Sequence, residues 1–81
     1  MQSSELRSLL QTALPGASVD VASPDDVHFR AIIVADAFAG KSTLERHRMV
    51  YAALGERMGG EVHALSLRTL TPGEAAQTGN A

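Results

Sequence analysis

The first apolar positions of the chain follow a helical period. Four of them, spaced at i, i+3, i+4 and i+7, form one stripe: Leu6, Leu9, Leu10 and Ala13. Polar residues separate them, so we predict an opening amphipathic helix that buries this stripe. Pro15-Gly16 follows and should end the helix.

The next apolar residues alternate as they do in strands. Val19 and Val21 predict a short strand, and the turn formers of residues 23–26 should connect it to a second strand in an antiparallel hairpin. In residues 27–35 one face is apolar throughout and the other becomes apolar toward the end. This pattern is typical of a strand at the centre of a sheet.

A second helix is predicted over residues 43–58. Ser42 and Glu45 have the spacing of a capping box, and Gly59-Gly60 should end the helix. The third strand is predicted at residues 62–69. A helical connection between the second and third strands favours a parallel pair with a right-handed crossover.

A short last helix should begin after the third strand. Thr71 and Glu74 form a second capping box, with Pro72 at the first helical position. The element order α-β-β-α-β-(α) predicts a single α+β domain with a mixed three-stranded sheet and helices on one face. We expect residues 1–76 to form this domain and residues 77–81 a flexible tail.

The composition of the chain argues against several classes of function. The net charge of −2 gives no general attraction to nucleic acid, and the absence of cysteine removes every protein thiolate. The longest apolar run, residues 31–35, is too short to span a membrane, and the N-terminus does not resemble a secretory signal. We therefore expect a cytoplasmic protein that does not bind membranes.

Three stretches of sequence form a recognisable set: Asp26-Val27-His28-Phe29; Phe38-Ala39-Gly40-Lys41-Ser42 continuing into Arg46-His47-Arg48-Met49-Val50-Tyr51; and Val62-His63-Ala64-Leu65-Ser66-Leu67 with Thr69-Leu70-Thr71-Pro72. In order and spacing they resemble the BolA-like family, and specifically its IbaG branch. The resemblance implies a fold related to the class II KH domain and partnership with monothiol glutaredoxins in iron–sulfur trafficking. For some bacterial members it implies DNA-binding regulation. Ala75 stands where the family often has Trp, so the last helix should be shorter or more loosely docked.

Two histidines are candidate metal ligands through this resemblance. The family residue matching His63 binds a shared [2Fe-2S] cluster, and the position of His28 holds a second Cys or His. The partner and glutathione would then supply the thiolates, and the isolated chain would hold no cluster. His63 has an alternative interpretation as a partly buried side chain bonded to a backbone carbonyl. For His28, with Asp25 and Asp26, the alternative is a solvated turn.

A basic group lies around the start of the second helix: Lys41, Arg46, His47 and Arg48. It could contact phosphate or an acidic partner surface. The alternative is a solvated helix face whose arginines pair with Glu45 and Glu56. RNA binding in the KH manner is not expected, because residues 40–43 read Gly-Lys-Ser-Thr instead of G-x-x-G.

No arrangement of residues predicts catalysis. The chain has no Cys nucleophile, no spacing typical of a Ser–His–acid triad and no complete phosphate-binding glycine loop. We therefore expect no enzymatic activity and no small-molecule substrate. The first hypothesis is a glutaredoxin partner that shares a cluster, and the alternative is a DNA-binding regulator that uses the helix around Arg46 and Arg48, with weak DNA binding.

Overall fold

The computed structural model describes residues 1–60, 62 and 64–78. Its helices and strands are α1 (Ser3–Ala13), β1 (Ser18–Ala22), β2 (His28–Val34), α2 (Thr43–Leu54), β3 (Ala64–Leu70) and α3 (Pro72–Thr78). Single 3-10 turns at Asp36–Phe38 and Gly55–Arg57 were not predicted. None of the helices in the described part of the chain is long and apolar enough to cross a membrane.

The sheet has the order β1-β2-β3, with β2 at its centre. β1 pairs with β2 in an antiparallel manner, and β2 pairs with β3 in parallel, from His28 opposite Ala64 to Val34 opposite Leu70. The mixed sheet and the central position of β2 confirm the prediction. Only one face of β2 is fully buried, at Phe29, Ala31 and Ile33, whereas the apolar residues Ile32 and Val34 of the other face are half-buried.

One face of the sheet carries the core. Alternate residues of β2 are buried against the first two helices, in a cluster that includes Phe29, Ala31, Ile33, Leu6, Leu10, Val50 and Leu54. The predicted α1 stripe is confirmed at Leu6 and Leu10, whereas Ala13 is exposed. The reason is that α1 ends at Ala13, and Leu14 takes the next buried position.

Several predicted boundaries differ from the structure by one residue or more. α2 ends at Leu54 because Gly55 adopts φ +56°, a left-handed conformation suited to glycine, and the Gly55 N–H donates to the Tyr51 carbonyl. β3 begins at Ala64, and Val62 forms only an isolated bridge to Met58. α3 continues through Thr78, two residues into the predicted tail, and residues 79–81 lie outside the described residues.

Both predicted capping boxes are confirmed. At α2 the Ser42 N–H donates to Glu45 Oε1 at 3.0 Å, and the Glu45 N–H donates to Ser42 Oγ at 3.2 Å. At α3 the Thr71 N–H donates to Glu74 Oε1 at 2.9 Å, and the Glu74 N–H donates to Thr71 Oγ1 at 3.2 Å. Each box satisfies amide groups that a helix start leaves without partners.

Arg46 joins α2, β3 and α3 at the end of the sheet where β2 and β3 finish. Its Nη1 donates to Glu74 Oε1 at 2.7 Å and to the Thr69 carbonyl at 3.2 Å, and its Nε donates to the Lys41 carbonyl at 3.0 Å. The guanidinium also lies 5.9 Å from the centroid of the Phe38 ring, within cation–π range. Glu74 therefore both caps α3 and neutralises a guanidinium that is largely removed from water.

We predict that Glu74→Gln lowers the melting temperature at neutral pH, by about 5 °C or more for a domain of this size. The Arg46 guanidinium and the Thr71 N–H lower the pKa of Glu74 from 4.5 to about 2. A depressed carboxyl pKa stabilises the fold fully above the ordinary value, and this stabilisation is lost as pH falls from about 4.5 toward 2. The difference between wild type and variant should shrink over that range, measured by thermal circular dichroism.

Glu56→Gln is the matched control, because it makes the same charge change at an exposed position in the Gly55–Arg57 turn. Equal melting temperatures for the Glu74 and Glu56 variants at pH 7 would contradict the role given to the Arg46–Glu74 pair.

Candidate functional site

The parallel pairing of β2 and β3 brings the starts of both strands to one edge of the sheet. His28 is the first residue of β2, and it lies opposite Ala64, the first residue of β3. β1 ends at the same edge with Ala22. We call the turn of residues 23–27 together with His28 and Ala64 the hairpin edge.

Two short polar side chains shape the turn at the hairpin edge. Ser23 Oγ accepts the Asp26 N–H at 2.9 Å and donates to the His28 carbonyl. Asp25 Oδ1 accepts the backbone N–H groups of Val27 at 3.1 Å and His28 at 2.8 Å. Asp26 adopts φ +61°, which aspartate tolerates better than most residues. The turn is therefore held by side chains in place of further strand pairing.

The second oxygen of Asp25 contacts the His28 ring. Asp25 Oδ2 lies 2.6 Å from His28 Nδ1, although the His28 side chain is 57% exposed and that of Asp25 46% exposed. The His28 backbone N–H, the His28 ring and the Val27 N–H hold the pKa of Asp25 well below its usual range. A charged carboxylate thus faces Nδ1, and Nε2 lies on the opposite side of the ring.

A cavity of about 490 Å³ opens beside the His28 ring on the face of the sheet away from the core. Its lining combines small apolar side chains with polar groups: Ala22, Ser23, Pro24, His28, Phe29, Arg30, Ala64 and Ser66. Arg30 lies two residues after His28, so it shares that face of β2. The hairpin edge therefore has room beside an imidazole for groups supplied by another molecule.

His63, the first predicted ligand, lies outside the described residues. It directly precedes Ala64 in the chain, and Ala64 is the partner of His28 in the sheet. Within residues 1–60, 62 and 64–78, no three His, Cys, Asp or Glu side chains are grouped so as to hold a metal ion. The chain has no cysteine, so thiolate ligands for an iron–sulfur cluster would have to come from another molecule.

The predicted basic group does not form one surface. Lys41 and Arg48 are exposed and His47 is half-buried, but the Arg46 side chain is only 11% exposed. Arg46 is on the buried face of α2 with Val50 and Leu54, four and eight residues later. The exposure of Arg46 that both interpretations of this group require is therefore wrong. The alternative interpretation is also wrong about the partner of Arg46, which is Glu74 and not Glu45 or Glu56.

The cavity beside His28 and the basic residues around the start of α2 share no lining residue. His28 is at the start of β2, whereas α2 begins beyond the end of β2. The seven residues of β2 correspond to about 20 Å of strand. Lys41 and Arg48 instead border a shallow groove of about 360 Å³ with Glu45, Met49 and Ala52. The structure thus separates the candidate metal ligand from the basic residues that were expected to help in docking.

The role of Asp25 was not predicted from the sequence, in which Asp25 was interpreted only as part of a turn. An available signal was the position of Asp25 two and three residues before Val27 and His28. Aspartate at that position commonly accepts the backbone N–H groups that follow it. The same spacing also allows its other oxygen to contact the side chain of the third residue, as it does here.

Comparisons with known proteins agree with the family resemblance. A family model described as BolA-like protein matches residues 11–74. The acid stress protein IbaG of Escherichia coli K12 is 36% identical over 78 residues, which cover 95% of this chain and 92% of IbaG. The solved structure of a BolA homologue from Coxiella burnetii superposes with a TM-score of 0.83 and 38% identity, over 94% of this chain and 97% of that chain.

Other relatives match over a shorter segment. Human BolA-like protein 1 is 49% identical over 49 residues, which are 60% of this chain and 36% of the human protein. The DNA-binding transcriptional regulator BolA of Escherichia coli is 42% identical over 52 residues, 64% of this chain and 50% of that protein. The match thus spans about a third to a half of these relatives. Because the family model covers most of the chain and IbaG aligns over nearly all of it, this chain belongs to the BolA-like protein family.

Proposed function

We propose that this chain is an accessory protein that pairs with a monothiol glutaredoxin and shares a [2Fe-2S] cluster with it. His28 and His63 are the donors from this chain, and the glutaredoxin and glutathione supply the thiolates. The observation that carries the proposal is the His28 imidazole, held by Asp25 at an exposed edge of the sheet. Membership in the BolA-like family supports the choice of partner and cluster.

The chemistry of the donors fits a shared cluster. Iron–sulfur clusters are held mainly by thiolates, with histidine as the occasional replacement. This chain has no cysteine and three histidines, so it offers only the minority type of ligand. A carboxylate on the second ring nitrogen is the usual way in which proteins orient a metal-binding histidine.

The cavity beside His28 supports a docking position at the same edge. Its small side chains, Ala22, Ala64 and Ser66, leave the approach to the ring open. Ring and turn are already fixed in the free chain by the Ser23 and Asp25 hydrogen bonds, which lowers the ordering cost of binding. Lys41, His47 and Arg48 do not line this cavity, so they are candidate contacts outside the cluster site.

We predict that co-expression with a monothiol glutaredoxin yields a coloured heterodimer with the absorption spectrum of a [2Fe-2S] centre. Neither chain alone should hold this mixed centre, because the histidine ligands come from one protein and the thiolates from the other. Anaerobic size-exclusion chromatography with an absorption detector is the measurement. Colourless proteins that elute separately would contradict the proposal.

We further predict that His63→Ala abolishes the normal shared cluster and that His28→Ala weakens it or shifts its spectrum. Removal of the exposed His28 ring opens no core cavity, so that variant should keep the wild-type far-ultraviolet circular dichroism. His47→Ala is the control, since His47 lies in α2 and does not line the cavity beside His28. An unchanged visible spectrum in a folded His63→Ala complex would show that His63 is not a ligand. Unfolding of His63→Ala would favour its interpretation as a structural histidine.

DNA binding is the second candidate function, and the relative named a DNA-binding transcriptional regulator is the observation that favours it. The start of α2 exposes Lys41 and Arg48, which could neutralise phosphates. Arg46 is engaged by Glu74 and adds little to such a surface. Two exposed cations make only a small electrostatic contribution to the free energy of DNA binding.

Duplex DNA binding is accordingly expected to be weak at ~150 mM salt, with a logarithmic salt slope of about −2. Arg48→Gln should reduce that slope by about one, and Arg57→Gln, at the other end of α2, should leave it unchanged. Fluorescence anisotropy over a salt series measures the DNA affinity and the salt slope of each variant. Nanomolar sequence-specific binding that depends on Arg48 would favour the regulator over the cluster-sharing function.

A further inference from the structure

The two carboxylate oxygens of Asp25 have different partners. Oδ1 accepts the backbone N–H groups of Val27 and His28, at 3.1 and 2.8 Å. Oδ2 lies 2.6 Å from Nδ1 of the His28 ring. The first oxygen is sufficient to shape the turn, so the contact of the second oxygen is not needed for the backbone path.

A carboxylate oxygen is only an acceptor, so it selects one form of a neutral imidazole. The ring nitrogen that faces it must carry the hydrogen, and the other nitrogen then has the lone pair. At His28 this arrangement places N–H at Nδ1 and the lone pair at Nε2. A metal ion binds the nitrogen that has the lone pair.

We propose that Asp25 is a positioning residue that fixes the Nδ1–H tautomer and the orientation of the His28 ring, so that Nε2 is the atom that binds iron. The inference rests on the proposed function, because the iron belongs to the cluster shared at the hairpin edge. Asp25 itself does not touch the metal. It acts through the His28 ring, which it contacts by a short hydrogen bond of 2.6 Å.

Asp25→Asn distinguishes the turn hydrogen bonds of this side chain from its contact with the His28 ring. If the amide oxygen takes the position of Oδ1, it can still accept the Val27 and His28 N–H groups. Both backbone hydrogen bonds of the turn are then retained. The amide nitrogen then faces His28 Nδ1 and presents a donor there, which favours a lone pair at Nδ1 and a hydrogen at Nε2. The variant should therefore keep the turn and reverse the tautomer.

Asp26→Asn is the matched control. It removes the same charge from the neighbouring residue, and asparagine accepts the positive φ of that position. Within the described residues, the Asp26 carboxylate accepts no hydrogen bond, whereas Asp25 accepts from the Val27 and His28 N–H groups and from the Ser23 hydroxyl, and contacts the His28 ring. His47 in α2 serves as an internal reference in every sample.

The first measurement needs no partner and no metal. Long-range ¹H–¹⁵N correlation spectra of the ¹⁵N-labelled chain at about pH 8, where imidazole is neutral, report which ring nitrogen carries the hydrogen. We expect Nδ1–H at His28 in the wild type and in Asp26→Asn, and Nε2–H in Asp25→Asn, with His47 unchanged. A wild-type Nε2–H form, or an Asp25→Asn spectrum equal to that of wild type, would overturn the proposal.

The second measurement uses the complex with a monothiol glutaredoxin. Asp25→Asn should shift the visible circular dichroism of the cluster and speed its loss to a chelator by about tenfold or more, as for other residues that orient metal-binding histidines. Asp26→Asn should match wild type. Equal behaviour of the two variants would overturn the assignment of Nε2 to iron. A wild-type complex without a cluster would overturn the proposed function, whereas the tautomer spectra would still decide whether Asp25 orients the ring.

Discussion

The register of the central strand is the constraint on which the rest of the structure depends. β2 pairs with β1 through a hairpin and with β3 through a parallel crossover. The register of β2 therefore sets the positions of both neighbouring strands. Parallel pairing requires α2 to cross the core face and return the chain to the edge where β2 begins. His28 and Ala64 therefore become neighbours although they are 36 residues apart in sequence. The candidate site is a direct result of this topology.

The two ends of the sheet use acidic residues in opposite ways. At the far end Glu74 neutralises Arg46, whose guanidinium also holds the Lys41 and Thr69 carbonyls, and the result is a closed junction of α2, β3 and α3. At the hairpin edge Asp25 holds a ring that stays largely in solvent. Loss of Glu74 would leave a buried cation without its partner, whereas Asp25 orients a side chain that is 57% exposed.

Local patterns in the sequence predicted the helices and strands well. Contacts between residues distant in sequence explain where the prediction and the structure differ. The Ser42–Glu45 and Thr71–Glu74 capping boxes and the central strand depend on neighbouring residues, so spacing was sufficient to find them. Arg46 was wrongly placed in solvent, because its partner Glu74 is distant in sequence and only the fold brings them together. The hairpin turn was predicted from composition, but the contact between Asp25 and the His28 ring required coordinates. The His63 assignment stays a prediction.

The most direct test of the account asks which chain supplies histidine to the cluster. The complex is prepared with ¹⁵N-histidine in this chain only, or in the glutaredoxin only, and the reduced cluster is studied by pulsed electron paramagnetic resonance. Nitrogen bound directly to iron gives a resolved ¹⁵N coupling. The account predicts this coupling when this chain is labelled, and its absence when only the glutaredoxin is labelled. A cluster that shows no coupling to the labelled histidines of this chain would contradict the account.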